Sequence, residues 1–331
     1  VGEKDREFRR KPTEFMGEMW FTAALLDVTN PKPFKAYFLT GHGEHRIDSG
    51  DELTGYMKFA SVLQQNYIQV ESLLLRGTNT VPLDCNLLII GGPTVALPPE
   101  ELKTIEQYLD EGGRLLALFN YESIGRPTGL ENILSKWGIE IGNQVVVDPA
   151  HTTSGSEVYV GAFSKHPVVN PLLNSGLCLF YPRPVSSVSA RVQPAGAPHV
   201  EVIAETGPRA FLNSKPPGQP QKFPLMVAVE KGAIKGVITE RGTTRMVVVG
   251  DSLFLANHQL DVLSNRDFAS YAANWLLDRT QLLEGLGPRP INEFRLVMTR
   301  SQLQQAQWLL LGGMPGAVLL LGSLVWFRRR R

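Results

Sequence analysis

The sequence predicts an α/β protein: a doubly wound, mostly parallel sheet with an antiparallel insertion, followed by a C-terminal transmembrane helix. Three observations carry that prediction. Short apolar runs alternate with segments of helical periodicity from residue 35 onward. One run, NLLII at 86–90, is apolar without a break, as strands covered on both faces are. Residues 308–327 contain no charge.

The elements follow in order. KAYFLT at 35–40 reads as the first strand, Leu53 to Asn66 has apolar residues at helical spacing, and Ile68 to Leu75 reads as the second strand. After NLLII, Pro98 and Pro99 open a helix that runs through Asp110, and Gly112-Gly113 ends it. RLLALF at 114–119 gives the next strand, completing β-α-β-α-β. A helix from Gly129 to Trp137 leads to QVVV at 144–147, expected to continue the sheet. RMVVV at 245–249 feeds Gly250-Asp251 and a helix from about Asp267 to Asp278. Right-handed crossovers would assemble these into one sheet of flavodoxin-like or class I amidotransferase-like type. Between the halves, Leu177 to Val185 and Val200 to Ala204 resemble strands, Phe223 to Val229 and Ala233 to Thr239 resemble a hairpin, and 193–198 and 210–221 are Pro- and Gly-rich. The expected organisation is a charged lead segment (1–34), an α/β domain (35–285) with a β-rich insertion over about 177–240, a linker (286–307), the span (308–327) and a basic tail (328–331).

Composition excludes several classes. With 43% hydrophobic and 20% charged residues among 331, the chain is globular, and a net charge of +1 gives no electrostatic case for nucleic acid. Two cysteines, Cys85 and Cys178, cannot build a disulfide scaffold or a Cys-based zinc site. The chain begins at Val1 rather than Met, with a charged run from Glu3 to Lys11, which suggests the later part of a longer or processed product.

The C-terminal run WLLLGGMPGAVLLLGSLVWF is long enough, at about 1.5 Å per residue, to cross a hydrocarbon core of about 30 Å. Trp308 and Trp326 stand at its ends, and Arg328 to Arg331 hold the C-terminus in the cytoplasm by the positive-inside rule. The preceding domain is therefore expected across the membrane, in the periplasm or outside the cell. Within the run, Gly312 with Gly316 and Gly313 with Ala317 repeat small-xxx-small spacing, readable either as a face for a partner helix or as glycine flanking a kink at Pro315.

Candidate chemistry gathers at strand ends. Gly41-His42-Gly43-Glu44-His45 follows the first strand, where ligands bind in open parallel sheets. As a dinucleotide fingerprint it fails, because Arg46 stands at the third glycine position and a polar loop precedes the helix. No phosphate loop occurs anywhere, so no nucleotide or other cofactor is expected. A metal held by His42, Glu44 and His45 would need a further ligand such as Asp251; the simpler reading is that these side chains hydrogen-bond a turn. Gly250-Asp251-Ser252-Leu253 is literally a GDSL string, which in a serine hydrolase would make Ser252 the nucleophile. Asp148-x-x-His151 has the spacing of an acid and base, but it precedes the serine where such enzymes place it last, and no GxND block follows. Gly91-Gly92-Pro93 after NLLII stands where an amidotransferase carries its nucleophilic cysteine, and no cysteine is there. Taken together, His42, Glu44, Gly91, Gly92, Asn120, Asp251 and Ser252 follow the parallel strands and are expected to line one cleft, with Glu44 and Asp251 either touching a ligand or fixing the loops.

Phe15-Met-Gly-Glu18, Tyr37-Phe-Leu-Thr-Gly-His-Gly-Glu44, Leu88-Ile-Ile-Gly-Gly-Pro93, Tyr108-Leu-Asp-Glu-Gly-Gly113, His166-Pro-Val168 and Val248-Val-Gly-Asp-Ser-Leu-Phe254, with Asn257 and Asn265, occur in an order that resembles the extracytoplasmic auxiliary proteins of gliding-motility-type ABC transporters. The resemblance covers nearly the whole chain. It implies a non-catalytic, substrate-binding-like subunit of the bacterial inner membrane, partnered by a separate permease and ATPase, with no metal or cofactor and with its small-molecule ligand unknown. That family usually carries an earlier membrane helix and another soluble region, expected upstream of Val1. Two readings from other classes stand beside it: a membrane-anchored hydrolase using Ser252, and a structural scaffold that binds only protein.

Overall fold

The computed structural model describes residues 14–15, 33–77, 80–188, 197–214, 218–232, 242–279, 289–290, 304–305 and 307–329. Contacts divide the chain into two units, 16–288 and a second made of 1–15 with 289–331.

In the larger unit most of the apolar runs take their expected form. Strands β1 (Phe34–Leu39), β2 (Ile68–Leu73), β3 (Leu87–Gly91) and β4 (Arg114–Leu118) are joined by helices α1 (Met57–Gln65) and α2 (Pro99–Asp110). Helix α3 (Leu130–Lys136) follows β4, and the last parallel strand, at Thr244–Val249, precedes α4 (Asn265–Leu276). Between them Ala162–Phe163, His199–Glu205 and Pro224–Lys231 join the same sheet as β5, β6 and β7, so Thr244–Val249 is β8. The eight-stranded order is β2-β1-β3-β4-β8-β7-β6-β5. The first five in that order are mutually parallel and the rest antiparallel. The parallel part is the flavodoxin-like order, with a switch point between β1 and β3.

Alternate residues explain why the runs are continuously apolar. Ala36, Phe38, Leu87, Ile89, Leu116, Leu118, Val247 and Val249 pack with Phe59 and Leu63 of α1 and Phe268 and Ala272 of α4. Their neighbours Tyr37, Leu39, Leu88, Ile90, Leu115, Ala117, Met246 and Val248 pack with Ile105 and Leu109 of α2 and Ile133 and Leu134 of α3. Both faces are thus covered, and neither can afford polar alternation.

The expectation for QVVV is corrected. Val146–Val147 pairs with Phe211–Leu212, outside the main sheet. The inserted antiparallel structure also starts earlier than 177, since Ile139–Ile141 pairs with Val185–Ser187 and Glu157–Val160 with Leu177–Phe180. Pro224–Lys231 lies between β6 and β8, and the expected hairpin partner at 233–239 falls outside the described residues.

In the smaller unit, Glu14–Phe15 pairs with Arg289–Pro290. Over 308–327, expected as one continuous span, a π-helical segment, Leu309–Gly313, precedes the 16-residue helix α5 (Met314–Arg329), and no helix among the described residues is long and apolar enough to cross a membrane. Pro315 supplies the physical reason. It has no N–H to give the carbonyl of the preceding turn and its ring crowds that carbonyl, while Gly312 and Gly313 bring no side chain to oppose the wider turn. Met16 to Glu18 of the first string of the family resemblance and most of the linker at 286–307 lie outside the described residues.

Candidate functional site

The loops after β1, β3, β4 and β8 meet at the switch point. Backbone bonds knit them: His45 N donates to Gly91 O (2.9 Å), Thr94 N to His42 O (2.9 Å) and Gly92 N to Leu118 O (2.8 Å). Gly92 has φ +68°, and a Cβ there would fall 2.4 Å from Ser252 Oγ and 3.1 Å from His45 Cδ2, so only glycine lets the β3 and β8 turns touch.

Ser252 and His45 form the centre of this contact. His45 Nδ1 lies 2.7 Å from the carbonyl of Thr54, which can only accept, so Nδ1 carries the proton and Nε2 accepts from Ser252 Oγ at 2.9 Å. Burial holds the imidazole pKa below its ordinary value, against the Thr54 hydrogen bond and the Glu122 charge. Tyr56, wholly buried, stacks on His45 at 4.5 Å and donates its hydroxyl to Ser252 O at 2.5 Å. The pair has the orientation of a base and a nucleophile, yet Ser252 is 0% exposed. Asp148 and His151 do pair with each other, at 2.9 Å, but Asp148 also accepts from Gly207 N and Ala150 N, and the imidazole beside Ser252 is that of His45.

The other predicted residues divide into two groups. His42 lies behind the loop: its Nδ1 is 3.0 Å and its backbone N 2.6 Å from the Glu44 carboxylate, and its Nε2 is 3.3 Å from Glu101 Oε2. Asp251, 2% exposed, accepts from the N–H groups of Phe180 (2.8 Å), Leu253 (2.7 Å) and Phe254 (3.1 Å); burial raises its pKa to about 7 although those donors pull it down. Gly91 packs against the Tyr56 ring. These groups build the loops rather than face a ligand. His42, Glu44, His45 and Asp251 do not converge, and no group of three or more His, Cys, Asp or Glu among the described residues is placed to hold a metal ion.

Glu44 and Asn120 do line an open cleft of about 560 Å³. Asn120 Oδ1 accepts from Glu122 N at 3.0 Å and so sets the turn Tyr121–Ser123. Opposite stands a strap, Phe180 to Arg183, inside the run 177–185 expected as one strand, which instead divides into Leu177–Phe180 and Val185–Ser187. Phe180 is held by Asp251, and Arg183 N donates to Gly250 O at 2.8 Å. The buried Arg183 guanidinium reaches Gly142 O (2.7 Å) and Ser123 Oγ (2.8 Å) over the Phe119 ring, and burial lowers its pKa. Tyr181 between them has φ +48°, rare for a bulky residue, and is fixed there by its N–H to Ser156 O (2.9 Å) and its hydroxyl to Ser156 Oγ (2.8 Å). Its ring meets Tyr121 at 4.8 Å and 42°. Asn257 and Asn265 brace the site from outside: Asn257 Nδ2 donates to Ser49 O and Asp51 O, while Asn265 bridges Cys178, Phe254 and Gln259.

Fold and site together define a flavodoxin-like α/β domain with an open cleft at its switch point and a serine–histidine contact sealed beneath it. The model of the ABC-type uncharacterized transport system auxiliary family matches residues 35–277, and the chain belongs to that family. Among solved structures it is similar to one titled mmIFT52 N-terminal domain, with a TM-score of 0.53 and 17% identity over 73% of this chain and 97% of that one, a likeness of fold alone. A putative thua-like protein from Parabacteroides merdae ATCC 43184 matches with a TM-score of 0.42 and 12% identity over 74% of this chain and 90% of that one. A comparison with curated proteins finds no match.

Proposed function

We propose that this auxiliary component is a non-catalytic, substrate-binding-like subunit of a bacterial ABC transport system of the gliding-motility type, anchored in the inner membrane by its C-terminal segment, with the α/β domain in the periplasm. The observation that carries the non-catalytic part is the burial of Ser252: the hydroxyl that a histidine contacts is 0% exposed, while the neighbouring cleft is open. The anchor is supported by the apolar side chains that helix α5 leaves uncovered, Leu319 at 72% and Leu321 at 64% exposed among them, and by the arginines that follow. A separate permease and ATPase are the expected partners, and the lipid bilayer the expected surroundings of α5. Affinity purification of the full chain from its native membranes tests this. Recovery of an ABC permease and ATPase is expected; their absence would sink the transport reading.

The hydrolase reading retains one specific observation, the 2.9 Å contact between His45 Nε2 and Ser252 Oγ. A fluorophosphonate probe decides between the two. A buried Ser252 should not label, and labelling abolished by Ser252→Ala would establish the hydrolase.

A further inference from the structure

The cleft has a chemical character that the transport reading does not specify. One side is the corner formed by Tyr121 and Tyr181, half-buried rings tilted 42° to each other. The strained backbone of Tyr181 and its bonds to Ser156 keep that corner in place without a ligand. Beside it stands Glu122, exposed and positioned through Asn120; its charge helps to raise the Tyr121 pKa, an effect led by burial, and works to raise that of His45, so it acts on both sides of the cleft. Glu44 also borders the cleft, but its carboxylate is buried and held by His42, so Glu122 is the carboxylate that faces it.

Positive charge does not balance these groups. Arg46, the one Lys or Arg in the lining, already spends its guanidinium on Asp48, at 3.0 and 2.7 Å, and His45 has its Nδ1 proton on Thr54. An anionic ligand would therefore meet the Glu122 carboxylate, and among the described residues of the lining the one Lys or Arg, Arg46, is already paired with Asp48. The two rings are packed on one another, and the outer aromatic surface they leave to the cleft, negative at the ring centres and next to the exposed Glu122, favours a compact cation.

The geometry points to a small soluble organic ammonium, of the quaternary or alkylated kind, as the ligand of this cleft, seated against the Tyr121–Tyr181 corner with Glu122 as its counter-charge. This rests on the binding-subunit reading above. Transfer of no group or electron is involved; recognition is by ring faces and charge.

The test is a calorimetric titration of the full chain, in non-ionic detergent, with choline and with 3,3-dimethylbutanol, which has the same shape and no charge. Choline should bind at least roughly tenfold more tightly. Tyr121→Leu and Glu122→Gln should each weaken choline several-fold and leave the alcohol unchanged, with thermal midpoints near that of the wild type showing that both variants fold. Equal binding of the two probes would overturn the proposal. So would absence of choline binding in a chain that still co-purifies with its permease and ATPase, and that result would leave the transport reading standing. Choline binding without such partners would do the reverse. Binding of a short-chain, water-soluble phosphatidylcholine that Tyr121→Leu abolishes, with free choline inert, would assign the cleft to a lipid headgroup and refute the small soluble ligand.

Discussion

Gly92→Ala tests the claim that the β3 and β8 turns fit only because one residue has no side chain. At φ +68° an alanine carries a backbone penalty of about 1 to 2 kcal/mol. Its Cβ would stand 2.4 Å from Ser252 Oγ and 2.7 Å from Ser252 Cβ, far inside van der Waals contact. Neither neighbour can yield easily, since Ser252 is fully buried, held at its hydroxyl by His45 and at its carbonyl by Tyr56. Overpacking of such a site typically adds about 1 to 3 kcal/mol. The expected destabilisation is thus about 2 to 5 kcal/mol, a large part of a usual stability of about 5 to 15 kcal/mol. Urea unfolding of the full chain followed by circular dichroism measures it. Gly50→Ala is the control, because its added Cβ would meet only Met57 Cε, at 3.8 Å, and should change stability by no more than about 0.5 kcal/mol. A Gly92→Ala variant within 1 kcal/mol of the wild type, on the order of the control, would refute the reasoning that these turns are in obligatory contact.

Three further outcomes follow from the same geometry. Burial raises the folded pKa of Asp251 to about 7, above the ordinary aspartate value of about 3.9, so the stability it contributes is complete below about pH 4 and lost as pH rises through 7; the advantage of wild type over Asp251→Asn should shrink by about 2 to 3 kcal/mol between pH 5 and pH 8 in urea titrations, and a growing advantage would contradict it. Asn265→Ala leaves Cys178 N–H and the carbonyls of Cys178, Phe254 and Gln259 without their side-chain partner in a buried site, and should cost about 2 to 4 kcal/mol by the same assay. Gly312→Leu with Gly316→Leu should leave α5 helical, since an added Cβ meets only the Trp308 ring at 3.7 Å and nothing at Gly316; the chain should still fractionate with membranes but lose its permease on purification, and retained co-purification would make the helix an anchor only.

The parallel strands were legible because burial on both faces forbids polar residues, and KAYFLT, NLLII, RLLALF and RMVVV each carry that mark. QVVV carries it too and belongs elsewhere. A run of three valines states a preference for extended backbone but not a partner, and Phe211–Leu212, which pairs with it, is two residues long in a stretch rich in Pro and Gly. The earlier start of the insertion was hidden for the same reason, since Ile139-Glu-Ile141 is too short for a period of two to be read. At the C-terminus, hydropathy counts Pro315 and two glycines as apolar enough, and cannot register that one of them lacks the N–H the helix needs there.

The site was legible only as far as topology could supply it. A parallel sheet brings the residues after its strands to one edge, which is why Glu44 and Asn120 reach the cleft and Gly92 and Ser252 meet beneath it. The side chains that give the cleft its character come from pairings that no local pattern encodes. His45 finds its partner 207 residues along the chain, and Tyr121 meets Tyr181 through a strap held by Asp251 and Arg183. The GDSL string illustrates the difference between composition and placement. An esterase needs its serine hydroxyl in the cleft, whereas here Asp251 spends its carboxylate on three backbone amides and Ser252 is covered on the Gly92 side, so the same four letters lock the turn on which the aromatic strap hangs.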